Sequence, residues 1–239
     1  MKWIRLIIEF IIIIFLCILS TCIYYLLKDY KELSESNKDT NSIIEKSIIT
    51  DEITNRDVIN WDYLKLVNEH IIAWIKIEGT NINYPILKDN TLYYLKHTFE
   101  KKYNNNGSIF TTNAFPFKDN ETIIYGHNMK NGYMFSDLSN YLNKEFLYNH
   151  NKFKIYTPEC NYQATIISVY SIGSDTENDN IKLLDFNEKI AYYKKSSKYY
   201  IDNNEDIDKI VKLCTCSYIN VTTIPTDQRY FIIANLTAI

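Results

Sequence analysis

Three residue types that together can carry out acyl transfer stand at the ends of apolar runs in this 239-residue chain. Cys216 closes Lys212-Leu213-Cys214-Thr215-Cys216, His127 closes Ile123-Ile124-Tyr125-Gly126-His127, and Arg229 opens Arg229-Tyr230-Phe231-Ile232-Ile233-Ala234. A thiolate attacks a carbonyl. An imidazole beside it supplies the charge that favours thiolate, or the proton that a leaving amine needs. A guanidinium stays charged and offers several fixed donors, which suits a developing oxyanion. On a strand with a period of two, Val211, Leu213 and Thr215 share one side while Cys214 and Cys216 share the other. The Arg229 strand is expected to return antiparallel after residues 217–228, which brings the guanidinium to Cys216.

Each of these residues also has a plain structural reading. A cysteine in an apolar run is commonly buried and inert, and an arginine is commonly a surface cation. Cys214-x-Cys216 could be half of a metal site, but with His127 it would leave a fourth zinc ligand unnamed. A disulfide between cysteines one residue apart on a strand is strained. His70, His97 and His150 have no comparable setting and read as surface or local hydrogen-bonding residues.

The elements that must position these groups read mainly as short strands. Candidates are 71–77, 82–87, 108–112, 122–127, 152–156, 163–172, 210–216 and 230–236, separated by Asn, Asp, Gly and Pro. Eight such strands predict a closed β-barrel, which leaves no free edge. Helices are predicted over 57–68, with Val58, Trp61, Leu64 and Val67 at helical spacing, and over 92–99, 134–143 and part of 185–200. Residues 174–180 read as a polar loop.

Upstream, Phe10 to Leu27 is an almost unbroken apolar run, long enough to span a bilayer. Lys2 and Arg5 precede it, as a cytoplasmic amino terminus would have. Lys28 and Lys31 follow it, so charge alone leaves the orientation open. A cleaved signal peptide is the competing reading, but no Ala-x-Ala-like site follows. The expected organisation is therefore residues 1–9 cytoplasmic, 10–27 a membrane anchor, 28–56 a polar stalk and 57–239 an extracellular catalytic domain. Outside the anchor only Cys160, Cys214 and Cys216 remain, an odd number that does not suit a disulfide scaffold. A net charge of −3 gives no basic patch for nucleic acid.

With these residues in order, the chain resembles the class B sortases, the membrane-anchored cysteine transpeptidases of Gram-positive cell surfaces. Leu213-Cys214-Thr215-Cys216 is similar to the family's Leu-x-Thr-Cys, with Lys212 in place of the usual preceding Thr. Ile124-Tyr125-Gly126-His127-Asn128-Met129 resembles the histidine motif and Arg229-Tyr230-Phe231-Ile232-Ile233 the arginine strand. Asn81-Ile82-Asn83-Tyr84-Pro85-Ile86-Leu87, Tyr93-Tyr94-Leu95 and Gly107-Ser108-Ile109-Phe110 extend the likeness over most of 70–239. The resemblance implies a mainly β fold: an eight-stranded sortase-type β-barrel with N-terminal helices and a helix-bearing insertion, about 174–208, before the penultimate strand.

It also implies chemistry. A secreted protein carrying a C-terminal sorting signal of the type Asn/Ser/Pro-Pro-x-Thr-Gly/Asn is expected to be cleaved after Thr through a Cys216 thioacyl intermediate. The acyl group then passes to an amine of a peptidoglycan precursor or a pilin. His127 is implied as acid and base, Arg229 as oxyanion holder, and Asn83, Leu87, Tyr125, Cys214 and Ser217 as groove residues. Tyr218 stands where some class B members carry an acidic residue. No metal or organic cofactor is implied. Two other readings remain: a different cell-wall cysteine peptidase, and a catalytically silent membrane-tethered binding module.

Overall fold

The computed structural model describes residues 2–51, 56–129, 131–199, 201, 206–217 and 226–239. It has two compact units, 1–42 and 43–239. Helix α1 (Lys2–Ser47) begins in the first, and within Lys2–Lys31 it carries an 18-residue stretch with mean hydropathy 2.9, none of it buried. It is long and apolar enough to cross a membrane.

In the second unit, a small antiparallel hairpin of β1 (Ile48–Asp51) and β2 (Arg56–Ile59) precedes helix α2 (Trp61–Val67). Barrel strands follow: β3 (Ile71–Lys76), β4 (Asn83–Lys88), β5 (Ile109–Thr111) and β6 (Glu121–Tyr125). Helix α3 (Lys144–Asn149) leads to β7 (Lys152–Tyr156) and the long β8 (Asn161–Gly173). Helices α4 (Ser174–Ile181) and α5 (Phe186–Ser196) come next, then β9 (Ile210–Cys216) and β10 (Gln228–Ala238). Eight strands close in the order β10-β8-β7-β3-β4-β5-β6-β9, the barrel that the spacing of apolar runs predicts.

Among the described residues, all strand pairings are antiparallel except two. β4 runs parallel to β5, and β6 runs parallel to β9. Parallel neighbours need a crossover, and residues 89–108 supply the one between β4 and β5. That connection returns the chain from the far end of β4 to the start of β5. Phe110 of β5 pairs with Tyr125 of β6, so the crossover ends near the carboxyl end of β6.

Alternation sorts the strands into an inner and an outer face. Inside the barrel, Ile75, Ile86, Ile124, Ile155, Leu213 and Ile232 form one buried core. Outside, two further clusters are covered by the appendages. Trp74, Leu87 and Phe110 pack under Ile43, Ile59, Leu64 and Tyr94. Ile210, Cys214, Phe231 and Ile233 pack under Ile181, Ile190 and Tyr193 of the α4–α5 insertion.

Several boundaries differ from the expectation for local physical reasons. Helix α2 begins at Trp61 because Asn60 caps it, its Oδ1 accepting from Tyr63 N at 3.0 Å. Val58 belongs instead to β2 and is largely exposed. Ile43, within the segment read as stalk, belongs to the second compact unit and is 2% exposed against the outer face of the barrel. Residues 92–99 and 134–143 hold 3-10 turns, Tyr93–Leu95 and Ser136–Leu142, rather than α-helices. Residues 174–180, read as a loop, fall within α4 because Glu177 and Ile181, one turn apart, are both buried against the barrel. The helix predicted within 185–200 is α5, opened by a capping box between Asp185 and Glu188.

Candidate active site

Parallel pairing of β6 and β9 puts Tyr125 beside Cys214, and both strands end at the same end of the barrel. The ladder continues one step as Gly126 N donates to Cys214 O at 3.2 Å. Asn128 Nδ2 then donates to Cys216 O at 2.8 Å. His127, between Gly126 and Asn128, is thereby carried to the rim where Cys216 ends β9. Antiparallel β10 begins there too, and Arg229 is the direct cross-strand partner of Cys216. Side chains so paired have Cβ atoms about 5 Å apart. Three strand ends thus bring together the three residues that the sequence singles out, on the outer face of the barrel and not in its core.

Cys216 and His127 are half-buried, whereas Cys214 is 6% exposed. Burial pushes the Cys214 thiol up to about 12, against a smaller opposing pull from the charges of Lys212 and Arg229. That environment keeps Cys214 a neutral thiol near pH 7, unsuited to attack or to metal binding. Among the described residues no group of three or more His, Cys, Asp or Glu is placed to hold a metal ion.

His127 Nε2 lies 2.8 Å from Leu95 O. A carbonyl only accepts, so Nε2 carries a hydrogen. Phe135 N donates to His127 O at 2.8 Å and fixes the backbone. Arg229 Nη1 donates to Thr226 O at 2.9 Å and Gln228 O at 3.1 Å, so one nitrogen of the fork is spent on orienting it. His97 and His150 make local bonds, to Tyr93 O and Phe146 O, while His70 bonds Tyr94 Oη, 24 residues on.

The five groove candidates divide. Asn83, Leu87, Tyr125 and Cys214 lie on outer faces of β4, β6 and β9, and Ser217 follows β9. Leu87, Cys214 and Ser217 are buried, and only Asn83 and Tyr125 keep appreciable exposed surface. Asn83 Oδ1 accepts from Trp74 Nε1 at 2.7 Å. Tyr125 stacks on Phe110 with centroids 5.6 Å apart, and burial above all raises its phenol. Tyr218 falls outside the described residues.

Two residues named in the sequence have partners that it did not reveal. Asn128 stood in the histidine motif but its grip on Cys216 needed the register of β6 and β9. Lys212, an oddity at the position before Leu213, is 2% exposed and pairs with Glu177 of α4 at 2.5 Å. Its Nζ also lies 4.3 Å above the Phe231 ring and 4.8 Å above that of Tyr193. Tyr170 and Tyr192 donate to the same Glu177 carboxylate, at 2.5 and 2.9 Å. No spacing rule links positions 177 and 212. A cavity of ≈ 350 Å³ lined by Lys65, Ile72, Lys88, Phe115, Phe117 and Tyr162 holds none of the site residues.

Known proteins are similar to this chain in sequence and in fold. The family model for the sortase domain matches residues 75–237. Sortase B of Listeria monocytogenes is 35% identical over 188 residues, covering 74% of this chain and 75% of the relative. Sortase B of Staphylococcus aureus is 32% identical over 167 residues, covering 65% and 67%. Among solved structures, Clostridium perfringens sortase B superposes with a TM-score of 0.67 at 28% identity, covering 74% of this chain and all of that one. Sortase B of B. anthracis gives 0.70 at 25%, covering 88% and 100%. With the sortase domain matched over most of the barrel and sortase B of two organisms at 32–35% identity, the chain belongs to the sortase family, as a sortase B-type cysteine transpeptidase.

Proposed function

We propose that this transpeptidase is anchored in the cell membrane by the apolar part of α1, amino terminus in the cytoplasm and barrel outside. There it cleaves the C-terminal sorting signal of secreted proteins between Thr and Gly or Asn. The observation that carries the site assignment is the convergence of Cys216, His127 and Arg229 at one barrel rim through the β6–β9 and β9–β10 registers. Cys216 thiolate attacks the threonine carbonyl carbon and Arg229 donates to the oxyanion. As the tetrahedral species collapses, the C–N bond breaks and His127 gives its proton to the departing amine. An incoming amine, on a peptidoglycan precursor or a pilin, returns a proton to His127 as it displaces Cys216.

Asn83 and Tyr125, the groove candidates with exposed surface, are the ones that would touch a peptide directly. Leu87, Cys214 and Ser217 would shape the floor beneath it. Structural neighbours support both substrate classes by their own contents: S. aureus sortase B has been solved with a substrate, and a sortase B with triglycine. The test is mass spectrometry of the chain mixed with quenched peptides of the form Asn/Ser/Pro-Pro-x-Thr-Gly/Asn and an amine acceptor. A thioacyl adduct on Cys216 and a Thr–amine product are expected. Cleavage that survives Cys216→Ala would overturn the assignment.

A further inference from the structure

The turn whose carbonyl receives His127 is itself held by a buried carboxylate. Leu95 ends the 3-10 turn Tyr93–Leu95, which follows Leu92 in the left-handed region at φ 61°. Asp89, 5% exposed, sits at the start of the β4–β5 crossover, its own N–H bound to Thr111 O at 2.9 Å. Its carboxylate accepts from Tyr94 N at 2.7 Å on one oxygen, and from Thr91 N at 2.8 Å and Thr91 Oγ1 at 3.2 Å on the other. From the opposite side, Ser108 N donates to Tyr94 O at 2.9 Å. Gly107, at φ +59°, passes so close that a Cβ there would stand 2.6 Å from Leu95 O. The turn bearing Leu95 O is therefore gripped by Asp89 and backed by Gly107, with little room for the carbonyl to swing.

We propose that Asp89 is a positioning residue for His127: it fixes the Tyr93–Leu95 turn so that Leu95 O accepts from Nε2, leaving Nδ1 as the nitrogen that exchanges the proton. The inference rests on His127 as the acid and base of the reaction. A neutral imidazole has one donor and one acceptor nitrogen. Committing Nε2 as donor selects the tautomer whose lone pair is on Nδ1, and fixes the ring plane. His97 and His150 approach carbonyls through Nδ1 instead, so His127 has the opposite tautomer from both.

The test uses the full-length chain in detergent with 15N-labelled histidine; four pairs of ring-nitrogen signals arise from the four histidines, and His127→Ala identifies its own pair. At a pH where the rings are neutral, His127 is expected as the Nε2-protonated form, with His97 and His150 as Nδ1-protonated forms. A neutral His127 protonated on Nδ1 in the wild-type chain overturns the proposal without any variant. Asp89→Ala is expected to mix the His127 tautomers. It should also lower kcat for the quenched peptide that the wild-type chain cleaves best by about 10²-fold, with KM within about twofold. Asp89→Asn keeps one accepting oxygen and should fall between. Gly107→Ala, which displaces the same carbonyl from the other side, should reproduce the tautomer mixing should Asp89→Ala not fold. A folded Asp89→Ala with wild-type tautomer and kcat sinks the positioning role, while lost cleavage in His127→Ala leaves the catalytic histidine standing. Retained cleavage in His127→Ala sinks the catalytic reading itself.

Discussion

Cys214 and Cys216 share a face of β9 two residues apart, and only their surroundings separate them. Cys214 is roofed by the α4–α5 insertion, and burial holds its thiol near 12. Cys216 ends the strand half-exposed beside Arg229. Cys216→Ala is accordingly expected to abolish peptide cleavage, whereas Cys214→Ala retains most of it. A thiol-reactive probe at neutral pH should label Cys216 rapidly and Cys214 only on unfolding, as peptide mapping would show; equal labelling would remove the distinction. For Arg229, replacement by Ala should cost about 2.7–4 kcal/mol in the activation barrier, the scale of one lost oxyanion donor. Arg229→Lys should recover little, because a point charge cannot both satisfy Thr226 O and Gln228 O and present a planar fork. Wild-type kcat/KM in Arg229→Lys would reduce the arginine to a structural tie.

At the scale of elements, α4 and the β4–β5 crossover flank the site, and each is held by a buried charge. Lys212 and Glu177, 3% and 2% exposed at their side chains, bind α4 to β9 four residues before Cys216. Breaking one partner of such a pair strands the other in the interior, so Glu177→Ala should destabilise the protein by about 3–5 kcal/mol. Glu177→Leu combined with Lys212→Met should restore most of that, measured by chemical denaturation. A double variant as unstable as the single one would contradict the account. In the crossover, burial alone would raise the Asp89 carboxyl, but backbone N–H bonds from Thr91, Tyr94 and Tyr93 together outweigh it and hold it below its ordinary 3.8. A carboxyl depressed in the folded state contributes stability that is present above 3.8 and lost as pH falls through the folded value. The gap in unfolding temperature between wild type and Asp89→Asn should therefore be constant from pH 7 to about 5 and shrink below 3.8. A gap that widens on acidification would reverse the sign.

Across the whole molecule, topology does what spacing along the chain cannot. His127, Cys216 and Arg229 meet because β6 and β9 are parallel and β10 antiparallel, so two strand ends and one strand start fall on one rim. The compact unit begins at Ile43, and Ile43 packs in the cluster around Trp74. A soluble form starting at residue 43 should match the unfolding temperature of the full chain's barrel, while one starting at 57 loses Ile43 from that cluster. Ile43→Ala alone should cost about 2–5 kcal/mol, and no loss on truncation to 57 would argue that the cluster closes without it.

The chain itself determined the alternation of β9 and the eight apolar runs, and it singled out Cys216, His127 and Arg229 as candidates, because strand periodicity and side-chain chemistry are local properties. The hairpin of Arg229 with Cys216 was legible for the same reason, since one loop joins the two strands. The partners of Lys212, the helix at 174–181, the grip of Asn128 on Cys216 O and the hold of Leu95 O on His127 were decided only by tertiary structure. Each depends on a register or crossover joining residues some 30 to 90 positions apart. Burial belongs to the same class: two cysteines that look alike on one strand face differ because a helix pair, folded in from elsewhere, covers one and leaves the other open.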